Sequence, residues 1–326
     1  MSKDIMIIGA GMAGLACARR LAAVGHAPLV LDKGRGIGGR MATRRVAVAG
    51  ADIRFDHGAQ YISGQRDDVA ALFDGFGDVV VPWDTEADTP RYVAQPGMSS
   101  LPRAMAEGLD IRQNVEITQI TRRDGRWQVA SKDHPYSADI LVVTIPAPQI
   151  ANLFSADAKT DLPVLNAVAH VKMAPCLTLM AAFAPNSPRA FKARRFEHGA
   201  LAWVSQESSK PSRAGSAVTW VAQANPDWSS EHIEKDRDAI AALMLPLLCD
   251  AIGATAEQAL YVASHRWRYA RVTDPLGQPF VATQDYPLYL GGDWCLGPKI
   301  QHAMTSGEAI AAAIFASDTG IAAHAG

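Results

Sequence analysis

A glycine-rich turn near the start of the chain, followed by an isolated acidic residue, has the residue types needed to bind a dinucleotide. The turn is Gly9-Ala10-Gly11-Met12-Ala13-Gly14, and the acidic residue is Asp32. Glycines at this spacing permit a tight turn and let the backbone approach a pyrophosphate. The Asp32 carboxylate can accept hydrogen bonds from both ribose hydroxyls and would repel a 2′-phosphate. The pattern therefore predicts a site for an adenosine-containing dinucleotide.

A second glycine-rich loop, immediately downstream, favours a flavin dinucleotide over a nicotinamide one. The loop is Gly36-Ile37-Gly38-Gly39-Arg40. Its small residues leave room to wrap a long ligand, and Arg40 offers a forked donor to a phosphate oxygen. A flexible basic loop at the surface is the alternative interpretation.

A glycine pair late in the chain, Gly291-Gly292, suits the flavin end of the same ligand. Asp293 follows the pair and can bind a ribityl hydroxyl. An alanine-rich helix is predicted over residues 299–315, and the positive end of its dipole would stabilise negative charge on a reduced flavin. Gly307 lets this helix pack closely on a neighbour. Three glycine motifs in this order predict FAD as the cofactor.

Short apolar runs predict the elements that position these motifs. Residues 5–8 and 29–31 read as buried parallel strands, with a helix over about 12–24 between them. That helix would present its N–H groups to the phosphates. A long helix is predicted over 229–249. Further strands are predicted at 110–112, 115–120, 127–130, 140–144 and 217–221.

These elements predict an α/β protein, and the resemblance of its three glycine motifs to a family of two-domain flavoproteins implies two discontinuous domains. The first is a Rossmann-like FAD-binding domain of the GR2 type, built from residues 1–60, 105–150 and 280–326. The second is an α+β substrate domain, built from residues 61–104 and 151–279. A chain of 326 residues with 48% hydrophobic content is long and apolar enough for two cores.

Composition narrows the range of partners and compartments. A net charge of −2 gives no reason to expect nucleic acid or an anionic membrane. No leader sequence and no long apolar run is visible, and Cys17, Cys176, Cys249 and Cys295 have neither disulfide nor metal spacing. We therefore expect a cytoplasmic protein with reduced thiols, no metal site and a frayed Ala/Gly-rich C-terminal tail.

The three glycine motifs in this order resemble the amine-oxidase superfamily of flavoproteins. Five further stretches resemble its bacterial renalase group. They are FDHGAQY at 55–61, PGMS at 96–99, IPAPQ at 145–149, HRWRYA at 265–270 and GDWCL at 292–296.

This resemblance implies both a fold and an activity. Renalase-like proteins oxidise dihydropyridine isomers of NAD(P)H whose hydride lies at the 2- or 6-position. They pass the electrons to O2, which gives NAD(P)+ and H2O2. The resemblance thus implies a metabolite-repair oxidase whose partners are this nucleotide and oxygen, with the flavin carrying the reaction.

The resemblance also implies which residues contact the cofactor. Val115 would bind the adenine through backbone atoms, and His57 would be a structural residue beside the flavin. The full set is Gly9, Gly11, Met12, Ala13, Gly14, Asp32, Lys33, Gly39, Arg40, His57, Gly58, Ala59, Val115, Gly292, Asp293 and Ile300. Cys295 lies near the flavin motif, but we expect noncovalent attachment.

Aromatic and planar side chains are the candidates for the walls of a substrate pocket, because the two reacting rings must be held face to face. The candidates are Trp267, Arg268 and Tyr269, followed by Tyr61, Gln60 and Trp203. Core packing is the alternative for each aromatic residue. The basic stretch at 189–195 is a candidate contact for substrate phosphates, with a solvated surface loop as its alternative.

Two other functions fit the same motifs. A flavin amine oxidase would need an aromatic cage around a neutral amine and commonly a lysine near flavin N5. The sequence singles out no such lysine. A non-catalytic flavin- or nucleotide-binding module is the second alternative, although the aromatic content of the second domain favours a substrate pocket.

Overall fold

The computed structural model describes residues 3–155, 162–213, 215 and 217–319. The helices are α1 (Met12–Ala23), α2 (Arg66–Leu72), α3 (Ser100–Ala106), α4 (Ala147–Ile150), α5 (Pro163–Ala169), α6 (Pro226–His232), α7 (Arg237–Ile252) and α8 (Ile300–Thr319). The first strands are β1 (Ile5–Ile8), β2 (Leu29–Leu31), β3 (Thr43–Val48), β4 (Ala51–Asp56), β5 (Ile62–Ser63), β6 (Val80–Pro82), β7 (Arg91–Ala94), β8 (Asp110–Arg112), β9 (Ile117–Arg123) and β10 (Arg126–Ser131). The others are β11 (Pro135–Ala138), β12 (Ile140–Val143), β13 (Lys172–Phe183), β14 (Ala193–Arg195), β15 (Leu201–Gln206), β16 (Val218–Ala224), β17 (Ala259–Asp274), β18 (Phe280–Ala282) and β19 (Leu288–Gly291). The predicted C-terminal tail lies outside the described residues.

The chain divides into two compact units, which we call unit 1 and unit 2. Unit 1 comprises residues 1–39, 102–173 and 271–326, and unit 2 comprises residues 40–101 and 174–270. These boundaries differ from the predicted ones. Residues 40–60 lie in unit 2, because β3 and β4 form a hairpin whose apolar face packs on the sheet of that unit. Residues 151–173 and 271–279 lie in unit 1.

Unit 1 is built on a six-stranded sheet in the order β18-β19-β12-β1-β2-β8. Its strands are parallel except for the edge strand β18, which is antiparallel to β19. The residues of β1 and β12 are all buried, as expected for a parallel sheet covered on both faces. A three-stranded antiparallel sheet, β11-β10-β9, completes the unit. Unit 1 is therefore a Rossmann-like α/β domain, as the sequence predicts.

Two glycines allow the helices of unit 1 to pack closely. A Cβ at Gly14 would collide with the carbonyl oxygen of Gly9, so this glycine sets the distance from α1 to the end of β1. A Cβ at Gly307 would collide with the carbonyl oxygen of Ala13, so α8 crosses α1 at a distance that only glycine permits. The prediction that Gly307 provides a close approach is confirmed.

Unit 2 is built on a five-stranded sheet in the order β14-β15-β16-β13-β17. One face packs on α7, burying side chains such as Leu179, Trp220 and Met244. The opposite face carries Met180 and Val221, which pack against Phe55 of β4. Neighbouring positions on this second face are polar or aromatic, and they form the candidate site described below.

The predicted helix over 229–249 is wrong in its extent. Two helices, α6 and α7, occupy this region and are separated by residues 233–236. The physical reason is capping: the Asp236 side chain accepts a hydrogen bond from the Ala239 amide at 2.8 Å and starts a new helix. Asn225 caps α6 in the same way, through the Trp228 amide. Among the described residues, no helix is long and apolar enough to cross a bilayer.

Candidate functional site

Asp32 joins the two N-terminal glycine loops within unit 1. Its carboxylate accepts hydrogen bonds from the Ala10 amide and the Gly34 amide, each at 2.6 Å. The Gly38 amide also donates to the Ala10 carbonyl, at 2.9 Å. Asp32 thus holds the first loop against the second in addition to its predicted contact with ribose. A carboxylate has lone pairs for both tasks.

The N-terminus of α1 is suited to an anion. Its N-cap is Gly11, which provides no side-chain cap, and its first turn contains no acidic residue. The first amides of a helix lack partners within the helix and carry the positive end of its dipole. A Cβ at Gly11 would meet no protein atom within 4 Å, so the turn is open at this position. These features fit a pyrophosphate held at residues 9–14, with Met12 and Ala13 buried in the first turn.

The late glycine pair lies at the end of β19 and leads toward α8. The Gly292 amide donates to Ser306 Oγ at 2.8 Å, and the φ of Gly292 is +154°. Asp293 is buried, and Ile300 is the first residue of α8. The glycine pair, the Asp293 side chain and the start of α8 therefore lie together. This is the arrangement that the predicted site for the flavin end of the ligand requires.

Three other residues of unit 1 that were predicted to contact the cofactor, namely Lys33, Val115 and Gly39, differ in their surroundings. Lys33 is exposed and its ammonium lies 3.5 Å from Gln149 Oε1. The Val115 amide donates to the Asp32 carbonyl at 2.9 Å, so a backbone contact of Val115 with adenine must use its carbonyl oxygen. Gly39 lies next to the first glycine loop, because a Cβ at Gly39 would be 3.8 Å from Gly11 Cα.

Cys295 is unsuited to a covalent bond with the cofactor. Its side chain is buried, and burial raises the pKa of the thiol to about 12. A thiol must ionise to act as a nucleophile. This finding supports the predicted noncovalent attachment.

In unit 2, the loop at residues 56–61 is fixed by backbone contacts. The Ala59 amide donates to the Arg40 carbonyl at 2.8 Å, and a Cβ at Gly58 would collide with that same carbonyl oxygen. Gln223 Nε2 donates to the Gly58 carbonyl at 2.7 Å. The Arg40 guanidinium donates to the Ala270 carbonyl at 2.9 Å. The loop is therefore rigidly held before any ligand binds.

Beneath this loop lies a buried network of four charged residues, which we call the charge quartet: Asp56, Glu207, Lys210 and Arg213. The Lys210 ammonium lies 3.0 Å from Asp56 and 2.5 Å from Glu207, and Arg213 contacts the same two carboxylates. Burial alone would raise the pKa of Asp56, but Arg213 and Lys210 together lower it to about 2. Two cations thus balance two anions.

The sequence does not predict the charge quartet. Three of its members lie within the polar segment 205–213, a composition that is typical of an exposed loop. The spacing of Glu207, Lys210 and Arg213, three residues apart, was the available signal. The quartet also explains Gln60, a predicted pocket residue. Gln60 is buried and accepts from Ser205 Oγ at 2.9 Å, so it belongs to this network, and its place in the wall of a substrate pocket stays a prediction.

His57 lies in an aromatic cluster with His265 and Trp267. The His57 ring is 4.4 Å from that of His265 and stacks on Trp267 at 5.4 Å, and the Trp267 indole donates to the His57 carbonyl at 2.7 Å. Burial, followed by the charges of His265 and Arg44, lowers the pKa of His57 to about 3. Burial and nearby arginines lower the pKa of His265 to about 4. Both imidazoles are therefore neutral at pH 7.

The depressed pKa of His57 predicts a loss of stability in acid. Between pH 6.5 and 3 the unfolded chain binds a proton at this residue and the folded chain does not, so stability falls as pH drops. At pH 5 the loss is about 2 kcal/mol. The free energy of unfolding, measured in urea, falls between pH 7 and pH 5. We expect this fall to be smaller in His57→Gln than in the parent protein by the same amount. His134→Gln, at an exposed site, is the control, and equal drops in both variants would contradict the prediction.

The predicted pocket residues on β17 do not all share one face of the strand. Side chains alternate along a strand, so Trp267 and Tyr269 lie on the face of His265 while Arg268 points away. Arg268 is exposed and pairs with both carboxylate oxygens of Glu234, at 2.6 and 3.1 Å. Arg268 thus ties β17 to the segment after α6, and its place in the wall of a substrate pocket stays a prediction.

Tyr61 and Trp203 lie together in unit 2. Their ring centroids are 5.1 Å apart, and Trp203 is buried. The register places Arg195, Trp203, Gln223 and Thr178 side by side across four strands of one sheet face. Adjacent strands are about 4.8 Å apart. This face therefore carries a row of cationic, aromatic and hydrogen-bonding groups. Trp203 and, within the basic stretch, Arg195 were predicted from the sequence, whereas Gln223 and Thr178 were not.

The parallel sheet and the glycine-rich loops of unit 1 define a protein with a Rossmann-like nucleotide-binding domain. Residues 77–315 match the family of flavin containing amine oxidoreductases, and residues 7–76 match an NAD(P)-binding Rossmann-like domain. The first match covers more than half of the chain. The chain therefore belongs to the flavin-containing amine oxidoreductase family, which implies a flavin cofactor.

One relative matches part of the chain. A protein assigned as the flavin-containing monoamine oxidase AofH of Mycobacterium tuberculosis is 33% identical over 125 residues, covering 38% of this chain and 25% of that relative.

Solved structures show the same fold across much of the chain. A protein assigned as a protoporphyrinogen oxidase from Exiguobacterium sp. 255-15 has a TM-score of 0.78 at 15% identity, covering 96% of this chain and 99% of that one. Wild-type putrescine oxidase bound to putrescine has a TM-score of 0.69 at 13% identity, covering 97% and 99%. A fatty acid isomerase from P. acnes has a TM-score of 0.70 at 14% identity, covering 96% and 99%. These likenesses show the fold alone, and a shared fold does not select a substrate.

Proposed function

We propose that this protein is an FAD-dependent oxidase of 2- and 6-dihydro isomers of NAD(P)H, producing NAD(P)+ and H2O2. The observation that carries the proposal is the positive charge around the candidate substrate residues of unit 2. Arg91 and Arg195 flank Tyr61 and Trp203, and Arg44 contributes to the low pKa of His57. Such a field attracts an anionic nucleotide and disfavours a cationic amine.

The features of unit 1 support FAD as the particular flavin. The open turn at Gly11 and the uncapped start of α1 suit a pyrophosphate, and Asp32 suits the adenosine ribose. A flavin mononucleotide has neither of these groups. Asp293 and the start of α8 would hold the flavin end. Protein that is heated should therefore release FAD and not FMN.

The position of Lys210 argues against this residue as an amine-oxidase lysine. Its ammonium is buried between Asp56 and Glu207, which leaves it committed to ion pairs. Trp83 covers it at 5.2 Å. An amine oxidase of the same family remains the second candidate, because the family description and the AofH relative both name that activity.

The protein groups would act by binding and positioning the substrate. A flavin held by the residues of unit 1 would supply the redox chemistry, namely hydride acceptance from the dihydropyridine and electron transfer to O2. The substrate ring becomes aromatic as it loses hydride, so no protein base is needed. Neutral His57 and the indole of Trp267 would present a flat, uncharged surface to such a ring. The arginines would hold its phosphates.

Stopped-flow anaerobic bleaching of the flavin tests this function directly. Matched concentrations of the 2- and 6-dihydro isomers, ordinary NADH, a simple amine and a catecholamine are mixed with the FAD-loaded protein. We expect rapid bleaching by the dihydro isomers and slow or no bleaching by the amines. Faster reduction by an amine would favour the amine-oxidase alternative. Inertness toward every compound would favour a non-catalytic flavoprotein.

A further inference from the structure

We propose that Arg91 and Arg195, with the rings of Tyr61 and Trp203, form a binding site for the phosphates of a nucleotide. The inference deepens the proposed function by naming the part of unit 2 that would recognise the charged end of the substrate. It separates Arg195 from the rest of the basic stretch at 189–195. It also adds Arg91, which lies about a hundred residues away in the sequence.

The two arginines converge from different strands onto one aromatic pair. The Arg91 guanidinium carbon lies 4.8 Å from the ring centroids of both Tyr61 and Trp203. The Arg195 guanidinium donates to the Tyr61 hydroxyl at 3.1 Å and lies 5.8 Å from the Trp203 ring. Guanidinium groups stacked on rings keep their N–H edges available for a planar or tetrahedral anion. The aromatic pair therefore fixes two forked donors close together.

Within the part of the chain that the structure describes, neither arginine is neutralised by a carboxylate. Among the described residues, Arg91 donates to Thr85 Oγ1 at 3.1 Å and Arg195 donates to the Tyr61 hydroxyl, and neither forms an ion pair. Burial lowers the pKa of Arg91, and the charge of Arg195 lowers it further against the opposing effect of Tyr61. By contrast, Arg213 and Arg268 each contact a carboxylate at 2.5 or 2.6 Å. Two neighbouring cations without a carboxylate partner are a favourable place for a polyanion.

Lys192 and Arg194 of the basic stretch do not belong to this site. Lys192 pairs with Asp84 at 3.0 Å. Arg194 lies over the Phe191 ring at 4.2 Å, and the register places it opposite Val204 while Arg195 is opposite Trp203. Because adjacent strand residues point to opposite faces, Arg194 and Arg195 differ in surroundings but not in charge. Arg194 is therefore a matched control.

Titration of the FAD-loaded protein with ADP-ribose tests the site without any redox chemistry. ADP-ribose carries the pyrophosphate but no nicotinamide ring, and isothermal calorimetry measures its Kd. We expect saturable binding that Arg195→Gln weakens about tenfold or more, since a charge-assisted phosphate contact is lost. Arg91→Gln should weaken it similarly, whereas Arg194→Gln should leave the Kd within about twofold, because only long-range charge is removed.

The outcome separates this site from the proposed function. Arginine-dependent binding of ADP-ribose supports the site even if amines, and not dihydropyridines, bleach the flavin. Absence of binding to the parent protein, or equal Kd values for Arg195→Gln and Arg194→Gln, overturns the site even if the dihydro isomers bleach the flavin. Arg195 is exposed, so its replacement leaves the fold intact and the comparison does not depend on the Arg91 variant. Arg195→Lys should restore only part of the affinity, because lysine lacks the fork.

Discussion

Replacing Lys210 with methionine is expected to destabilise the protein by about 3–5 kcal/mol, since one partner of a buried ion network is removed. Lys210 has no exposed surface in its side chain, and its ammonium faces Asp56 and Glu207. Methionine fills a similar volume but leaves two buried carboxylates opposite the single cation of Arg213. Urea unfolding monitored by circular dichroism measures the loss.

Two further variants show whether charge balance is the cause. Lys192→Met removes an exposed pair with Asp84 and should change the stability little. The double variant Lys210→Met with Glu207→Gln leaves one anion, Asp56, opposite one cation, Arg213. It should recover much of the stability, because buried ion networks can often be neutralised without loss. A double variant less stable than Lys210→Met would show that packing, and not charge, dominates.

Most of unit 1 could be predicted from the sequence because its signals are local. The apolar runs at 5–8 and 29–31 coincide with β1 and β2, and the glycine spacing fixes the start of α1. The carboxylate of Asp32 was predicted to face a ribose. Its hydrogen bonds to the Ala10 and Gly34 amides were not, because they depend on how two loops meet in space.

Much of the candidate site in unit 2 could not be predicted, because long-range contacts create it. Arg91 and Arg195 are adjacent only through strand pairing and the aromatic pair between them. Lys210 looks like a surface lysine in the sequence, yet the ion pairs make its burial possible. The two-residue period of a strand places Arg268 and Trp267 on opposite faces of β17, which the sequence alone could have indicated.

In the first glycine-rich turn, we expect Gly14 to be required for folding and Gly11 to be required for binding the cofactor. In Gly14→Ala the added Cβ collides with the Gly9 carbonyl oxygen, a backbone atom that cannot move away without shifting β1 or α1. We expect a loss of about 3 kcal/mol, at the upper end of overpacking effects. In Gly11→Ala the added Cβ meets no protein atom within 4 Å, so the fold should be retained. The proposed pyrophosphate would occupy that space, so this variant should lose FAD.

Unfolding curves and FAD content after dialysis measure the two effects separately. Gly77→Ala is the control, because its Cβ also meets no atom within 4 Å and it lies in no proposed ligand contact. It should match the parent in both measurements. If Gly11→Ala retains FAD to the same extent as Gly77→Ala, the pyrophosphate must bind elsewhere. Gly14→Ala that unfolds like the parent would mean that α1 can move away from β1, and close packing would then not be the reason for glycine at that position.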